Sequence, residues 1–214
     1  MESPVHAAAL VDPGLRLIET LGWDGARFVR LGLHLDRMAR GAATLGWPFD
    51  ATAAHAALCA VVAGSPVRVR LTTGAGGVPA VTPAPMPAPL SRWRLGLSPE
   101  RLDSADPWLA LKSTRRATYD AARAALPATL DEAVFLNERG EVCDGTITTL
   151  FFDRGAGLCT PPLSSGLLPG VLRAEMLAGG RCREAVLMGV ELPRVRLWMG
   201  NSLRGLAPGI WVDG

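Results

Sequence analysis

Lysine is all but missing from this chain of 214 residues: of 22 strongly basic side chains one, Lys112, is lysine and the rest are arginine. A composition that has replaced lysine almost everywhere, yet keeps one, points to a position where arginine will not serve. Lysine can lose its proton and attack a carbonyl as a free amine, whereas arginine, with a pKa above ~12, cannot. Other scarcities exclude whole classes of function. The four cysteines (Cys59, Cys143, Cys159, Cys182) form no Cys-x-x-Cys pair, and the three histidines are scattered at 6, 34 and 55, so no zinc site is expected. The net charge is only +2 and no basic block occurs, which leaves no case for nucleic acid or an anionic membrane. The start, "MESPVHAAALVDPG", lacks a basic segment followed by an apolar core, so no secretory signal is expected. The most apolar early run, "AALCAVVAG", is too short to span a bilayer. There is no internal repeat, and the one biased tract is "PAVTPAPMPAP". With 49% hydrophobic and 20% charged residues, the chain reads as a reduced, cytoplasmic, globular protein of one large or two small domains.

The patterning alternates strands with helices. "LRLIETLG", the Asp-Gly turn of "WDGA" and "RFVRL" predict a hairpin over residues 15–31. Leu35, Met38, Ala42 and Leu45 recur at helical spacing. A second helix follows, with Asp50 or Thr52 as its cap and Gly64 as its stop. "VRVRLTTG" alternates strictly and carries one arginine face, while the prolines of "VPAVTPAP" suit an edge strand. "RWRLGLSP" predicts one more strand. "ERLDSADPW" is polar and without periodicity and marks a linker, so the expected domains are 1–98 and 110–214 with 99–109 between them. A helix from Ser113 to Leu126 comes next, then three strands in "EAVFLNERGEVCDGTITTLFFD" and a short helix in "VLRAEMLAGG" closing on Gly179. The tail mixes short strands and a helix. The fold class is α/β, in the broader sense α+β.

Three features stand beside Lys112. "GLLPGVLRAEML" places glycine and proline at a loop-to-helix junction, where free N–H groups and the positive dipole end suit a phosphate. "GEVCDGTITTLFF" sets Asp144 just ahead of an apolar strand, and "MGNSLRGL" puts Asn201 and Ser202 in a polar break. Each has a plain reading: a solvated lysine, a helix start, a turn former, a loop. Together they are what pyridoxal phosphate requires, since the lysine forms the imine, helix N–H groups hold the phosphate and an acid keeps the pyridine nitrogen protonated.

The segments "IETLGWDG", "HLDRMARGAATLG", "VRVRLTT", "KSTRRATYD", "FLNERGEVCDGTITTLFF", "TPPLSSGLLPGVLRAEML" and "NSLRGL" resemble the class IV aminotransferase group, the fold-type IV pyridoxal-phosphate enzymes. Within it the chain is most similar to the 4-amino-4-deoxychorismate lyases. The resemblance implies a two-domain enzyme with its cofactor site between the domains and Lys112 as the Schiff-base lysine. It implies that Arg37, in a His-x-x-Arg pattern with His34, grips the phosphate, with the N–H groups of Val171 and Leu172 and the polar groups of Asn201 and Ser202. Asp144 falls where the family usually has glutamate facing the pyridine nitrogen, and is one methylene shorter. Arg115 and Arg116 are candidates for a substrate carboxylate, the alternative being solvent-facing arginines. The implied activity is a folate-pathway lyase forming 4-aminobenzoate and pyruvate, working as a homodimer beside an aminodeoxychorismate synthase. The alternatives are a branched-chain or D-amino-acid aminotransferase and a cofactor-binding module with impaired catalysis.

Overall fold

A computed structural model describes residue 5 and residues 12–212; His6 and most of the opening stretch lie outside the described residues. Two compact units are present. One runs to Ala88 and also takes in Leu111–Arg115, and the other comprises Pro89–Ala110 and Arg116–Gly214.

In the first unit, β1 (Leu17–Trp23), β2 (Val67–Thr73) and β3 (Pro79–Ala84) form an antiparallel sheet in that order. The expected hairpin over 15–31 shrinks to one bridge between Trp23 and Phe28, whose rings meet at a tilt of 58° with centroids 4.9 Å apart. The chain cannot continue as a strand because Arg30 takes up a left-handed conformation (φ 57°) and helix α1 (Leu31–Leu45) begins at the next residue. The long-range partner of β1 is therefore β2, with Glu19 opposite Leu71. The arginine face of β2 is as the alternation requires, with Arg68 and Arg70 exposed and Val69 and Leu71 buried. The proline-rich β3 lies at the sheet edge. Helix α2 (Ala51–Cys59) is capped by the Asp50 carboxylate, which accepts from the N–H groups of Thr52 and Ala53, and it ends well before Gly64.

In the second unit an eight-stranded mixed sheet is built from β4 (Trp93–Leu102), β5 (Glu132–Asn137), β6 (Val142–Gly145), β7 (Thr149–Asp153), β8 (Cys159–Thr160), β9 (Arg183–Glu184), β10 (Arg196–Asn201) and β11 (Gly205–Trp211). Its order is β6-β5-β4-β11-β10-β7-β8-β9. One face buries Leu150, Phe152, Leu197 and Met199 with Trp93 and Leu95. Phe151, one residue over, points to the other face, where helix α4 (Val171–Ala178) lays Leu172 and Met176. Helix α3 (Ala117–Ala124) brings Tyr119 edge-on to Phe135, ring centroids 5.1 Å apart.

Two expectations differ here. Pro99–Leu102, within the stretch taken for linker, continue β4, and Arg101 and Leu102 pair with β5. The helix expected from Ser113 starts only at Ala117, and Leu111–Arg115 runs extended along the outer edge of β1. The Ile18 N–H donates to the Lys112 carbonyl (2.8 Å), the Thr114 N–H to the Arg16 carbonyl (2.8 Å), and Ser113 bridges to Leu17. The backbone donors of an open strand edge win over the helical propensity of the sequence beyond it.

Candidate active site

The first unit builds a charged group inside an apolar layer. Leu17, Glu19 and Leu21 alternate onto the β1 face that α1 covers. Leu17 lies against Gly41, where an added Cβ would come within 3.1 Å of the leucine methyl, and Glu19 lies one helical turn further on, against Arg37 and His34. Glu19 is 1% exposed. Its two oxygens accept side-on from Arg37, Nε to Oε1 at 2.7 Å and Nη2 to Oε2 at 2.6 Å, and His34 Nδ1 sits 2.6 Å from Oε2. Burial alone would raise the Glu19 carboxyl, but the Arg37 charge and the hydrogen bonds from Arg37 and His34 hold it down at about 2. Burial pushes the His34 imidazole down; Glu19 opposes that, while the Arg37 and Lys112 charges add to it. Lys112 is half-buried, its backbone fixed on the edge of β1. The charges of Lys112 and Arg37, named separately from the sequence, thus both act on His34.

An acid-stability prediction follows from Glu19. Its folded pKa is depressed, so its stabilisation is full above the unfolded value near 4.5 and is lost as pH falls toward 2. Glu19→Gln strands the Arg37 guanidinium and should cost about 3–5 kcal/mol near neutral pH. Urea unfolding compared near neutral pH and in acid should show the gap between parent and variant narrowing as pH falls. A gap independent of pH would mean that the pair does not form.

The second unit supplies an anion seat and a carboxylate. The α4 start has Gly170 as N-cap, which offers no capping side chain to the N–H groups of the first turn. Gly170 is required there, because a Cβ would stand 2.7 Å from Thr149 Oγ1. Thr149 pairs with Gly200 on β10, and Gly200 in turn has no side chain where Leu172 packs; a Cβ would lie 2.8 Å from the Leu172 methyl. The α4 start is thereby held next to Asn201 and Ser202. Asn201 Oδ1 accepts from the N–H groups of Leu203 and Arg204, and its Nδ2 donates to the Ile147 carbonyl (3.2 Å), so much of this amide braces its own turn. Asp144, in β6, is 6% exposed. Its charge is felt by Tyr119 and Cys143: burial first and Asp144 next push the tyrosine hydroxyl up, and likewise the thiol, to about 12.

The two arginines after Lys112 part company. Arg115 is exposed. Arg116 donates to Asp120 Oδ1 (2.6 Å) and to the Thr146 carbonyl (3.1 Å), and its guanidinium sits 5.9 Å from the Tyr119 ring centre.

Glu19 and Glu132 carry much of this architecture and neither was singled out from the sequence. Their shared signal is a single acid within a mostly apolar strand, "LIETLG" and "EAVFLN". The first unit by itself offers an amine, and the second by itself offers a helix start with a glycine that nothing larger could replace and a buried carboxylate; each is a kind of group that pyridoxal phosphate uses.

Comparison with known proteins agrees. The amino-transferase class IV family matches residues 16–209. A Schizosaccharomyces pombe protein provisionally named aminodeoxychorismate lyase is 32% identical over 179 residues, covering 78% of this chain and 75% of that one. The solved structure of a Mesorhizobium loti protein provisionally named an amino-acid aminotransferase is 41% identical, with a TM-score of 0.88, covering 92% of this chain and 100% of that one. The structure of 4-amino-4-deoxychorismate lyase from Pseudomonas aeruginosa, 24% identical, shares the fold with a TM-score of 0.79, covering 92% of this chain and 83% of that one. This chain belongs to the class IV aminotransferase family, enzymes of fold-type IV that depend on pyridoxal phosphate.

Proposed function

We propose that this enzyme is a lyase that splits 4-amino-4-deoxychorismate into 4-aminobenzoate and pyruvate. The observation that carries the cofactor chemistry is the one lysine of the chain, pinned to the β1 edge beside the Glu19–His34–Arg37 group. The lyase direction is supported by the name of the S. pombe relative and by the likeness of "NERGEVCDGTITTL" and "NSLRGL" to lyase members.

On this reading Lys112 Nζ would attach the cofactor, and Arg37, the N–H groups of Val171 and Leu172, and the Asn201–Ser202 turn would hold its phosphate. Asp144 would be the acid that keeps the pyridine nitrogen protonated. When bound, the cofactor supplies an electron sink for a carbon that loses a proton. Lys112, as a neutral amine, would take the proton from the substrate carbon that bears the amine. The enolpyruvyl oxygen departs from the adjacent carbon, the ring becomes aromatic, and Lys112 returns the proton to the leaving group. The substrate carboxylates fall to Arg115 and Arg116, the second already braced by Asp120 and Thr146. The resemblance further supports a cytoplasmic homodimer fed by a synthase. No helix among the described residues is long and apolar enough to cross a membrane.

A second reading, an aminotransferase of branched-chain or D-amino acids, is favoured by the 41% identity to the M. loti protein. The deciding experiment supplies chorismate, glutamine and a separate synthase to the pyridoxal-phosphate-loaded protein. Equal amounts of 4-aminobenzoate and pyruvate, with no keto acid added, are expected. Turnover that consumes an amino acid and requires a keto acid establishes the second reading instead. Cofactor binding with neither turnover identifies an impaired module.

A further inference from the structure

Glu132 opens β5 and is 0% exposed. A carboxylate in that position is costly unless its lone pairs are met, and here they are met chiefly by one loop. Oε1 accepts from the Thr146 N–H (2.9 Å) and the Thr146 hydroxyl, and Oε2 from the Thr148 hydroxyl (2.7 Å) and the Ile147 N–H (3.2 Å). Arg123 Nη1 (3.4 Å) and the Ala133 N–H (3.1 Å) complete the shell of Oε1. The loop closes so tightly on the carboxyl group that a Cβ at Gly145 would stand 2.9 Å from its carbon. Immediately behind Asp144, the Gly145 N–H donates to the Thr148 carbonyl (2.8 Å). The same loop carries the far ends of two other braces: Asn201 Nδ2 reaches the Ile147 carbonyl and Arg116 Nη2 the Thr146 carbonyl.

We propose that Glu132 is a positioning residue for cofactor binding: by gathering Thr146–Thr148 around one buried anion it sets Asp144 on one side of the loop and the Asn201–Ser202 turn on the other. This rests on the pyridoxal-phosphate reading above. A residue that only staples the fold would show itself in stability. One that places Ser202 is energetically coupled to Ser202, because groups joined through one network do not lose their contributions independently.

The test is a pyridoxal-phosphate titration of the apo-protein, followed by absorbance well below its melting temperature. The variants are Glu132→Gln, Thr148→Val, Ser202→Ala and each of the first two combined with the third. Thr148→Val removes one hydroxyl donor at nearly constant shape, so it decides the matter where Glu132→Gln fails to fold. Thr148→Val is expected to weaken binding by roughly 3- to 10-fold and Glu132→Gln by roughly 10-fold or more, the scale of lost hydrogen bonds to a charged group. Each double variant should bind about as well as the weaker of its two singles. Affinities that multiply independently, or that stay at the parent value while only the apo-protein melting temperature falls, overturn the proposal and leave the cofactor reading intact. A parent that binds no pyridoxal phosphate overturns both.

Discussion

Lys112→Ala should abolish turnover and the near-visible absorbance of lysine-bound cofactor while the apo-protein unfolds close to where the parent does. The separation of fold from chemistry comes from where Lys112 is held. Its carbonyl accepts the Ile18 N–H on the edge of β1, a bond that alanine keeps. The side chain is half-buried, with its charge near His34, and its removal leaves the Glu19–Arg37 pair in place. Loss of general acid–base catalysis alone is worth roughly 10²–10⁴-fold, and covalent attachment is lost with it. Lys112→Arg separates charge from chemistry. If the ammonium served only as a positive charge, arginine would restore function. A guanidinium stays protonated, so Lys112→Arg should be as dead as alanine. An absorbance scan of the reconstituted variants, with assay of both products, reads both effects. Restored turnover in the arginine variant would assign Lys112 a purely electrostatic part.

Asp144→Asn should retain cofactor and slow proton abstraction by roughly tens to thousands of fold, since general acid–base and electrostatic contributions each have that size. Asparagine keeps the shape but cannot hold a proton on the pyridine nitrogen, and the need for that proton arises only when the ring must accept electrons. Asp144→Glu, which restores the more usual family residue, should stay active. A readout free of catalysis is built in, because Tyr119 is the single tyrosine of the chain and its hydroxyl is pushed up first by burial and next by the Asp144 charge. An ultraviolet titration of Asp144→Asn should place the phenol below its parent value. Turnover at the parent rate together with an unmoved Tyr119 would reduce Asp144 to a turn former.

Much of the architecture was legible because local chemistry and the fold agree. The arginine face of β2, the Asp50 cap, the three strands around Asp144 and the α4 start beyond Gly170 all follow from short-range patterns that the tertiary structure leaves undisturbed. The illegible parts are long-range. That β1 pairs with β2, 50 residues away, rather than with the segment after its own turn depends on Arg30 and the helix behind it. That Leu111–Arg115 extends along β1 depends on an edge the sequence of those residues does not show. For the site, the residues with distinctive chemistry stood out: the lone lysine, the acid before an apolar strand, the glycine before a helix. The buried acids Glu19 and Glu132 did not. Glu19 and Glu132 are each a single charge in a strand, and only the packed structure brings His34 and Arg37 to one and the Thr146–Thr148 loop to the other.

The central claim is that Lys112 holds the cofactor. Borohydride reduction of the pyridoxal-phosphate-loaded protein, followed by proteolysis and mass analysis, tests it most directly. The account predicts one peptide, spanning "LALKSTR", carrying the reduced cofactor on Lys112 in about one copy per chain. Cofactor fixed to the terminal amine, or released unmodified by the reduced protein, would contradict it.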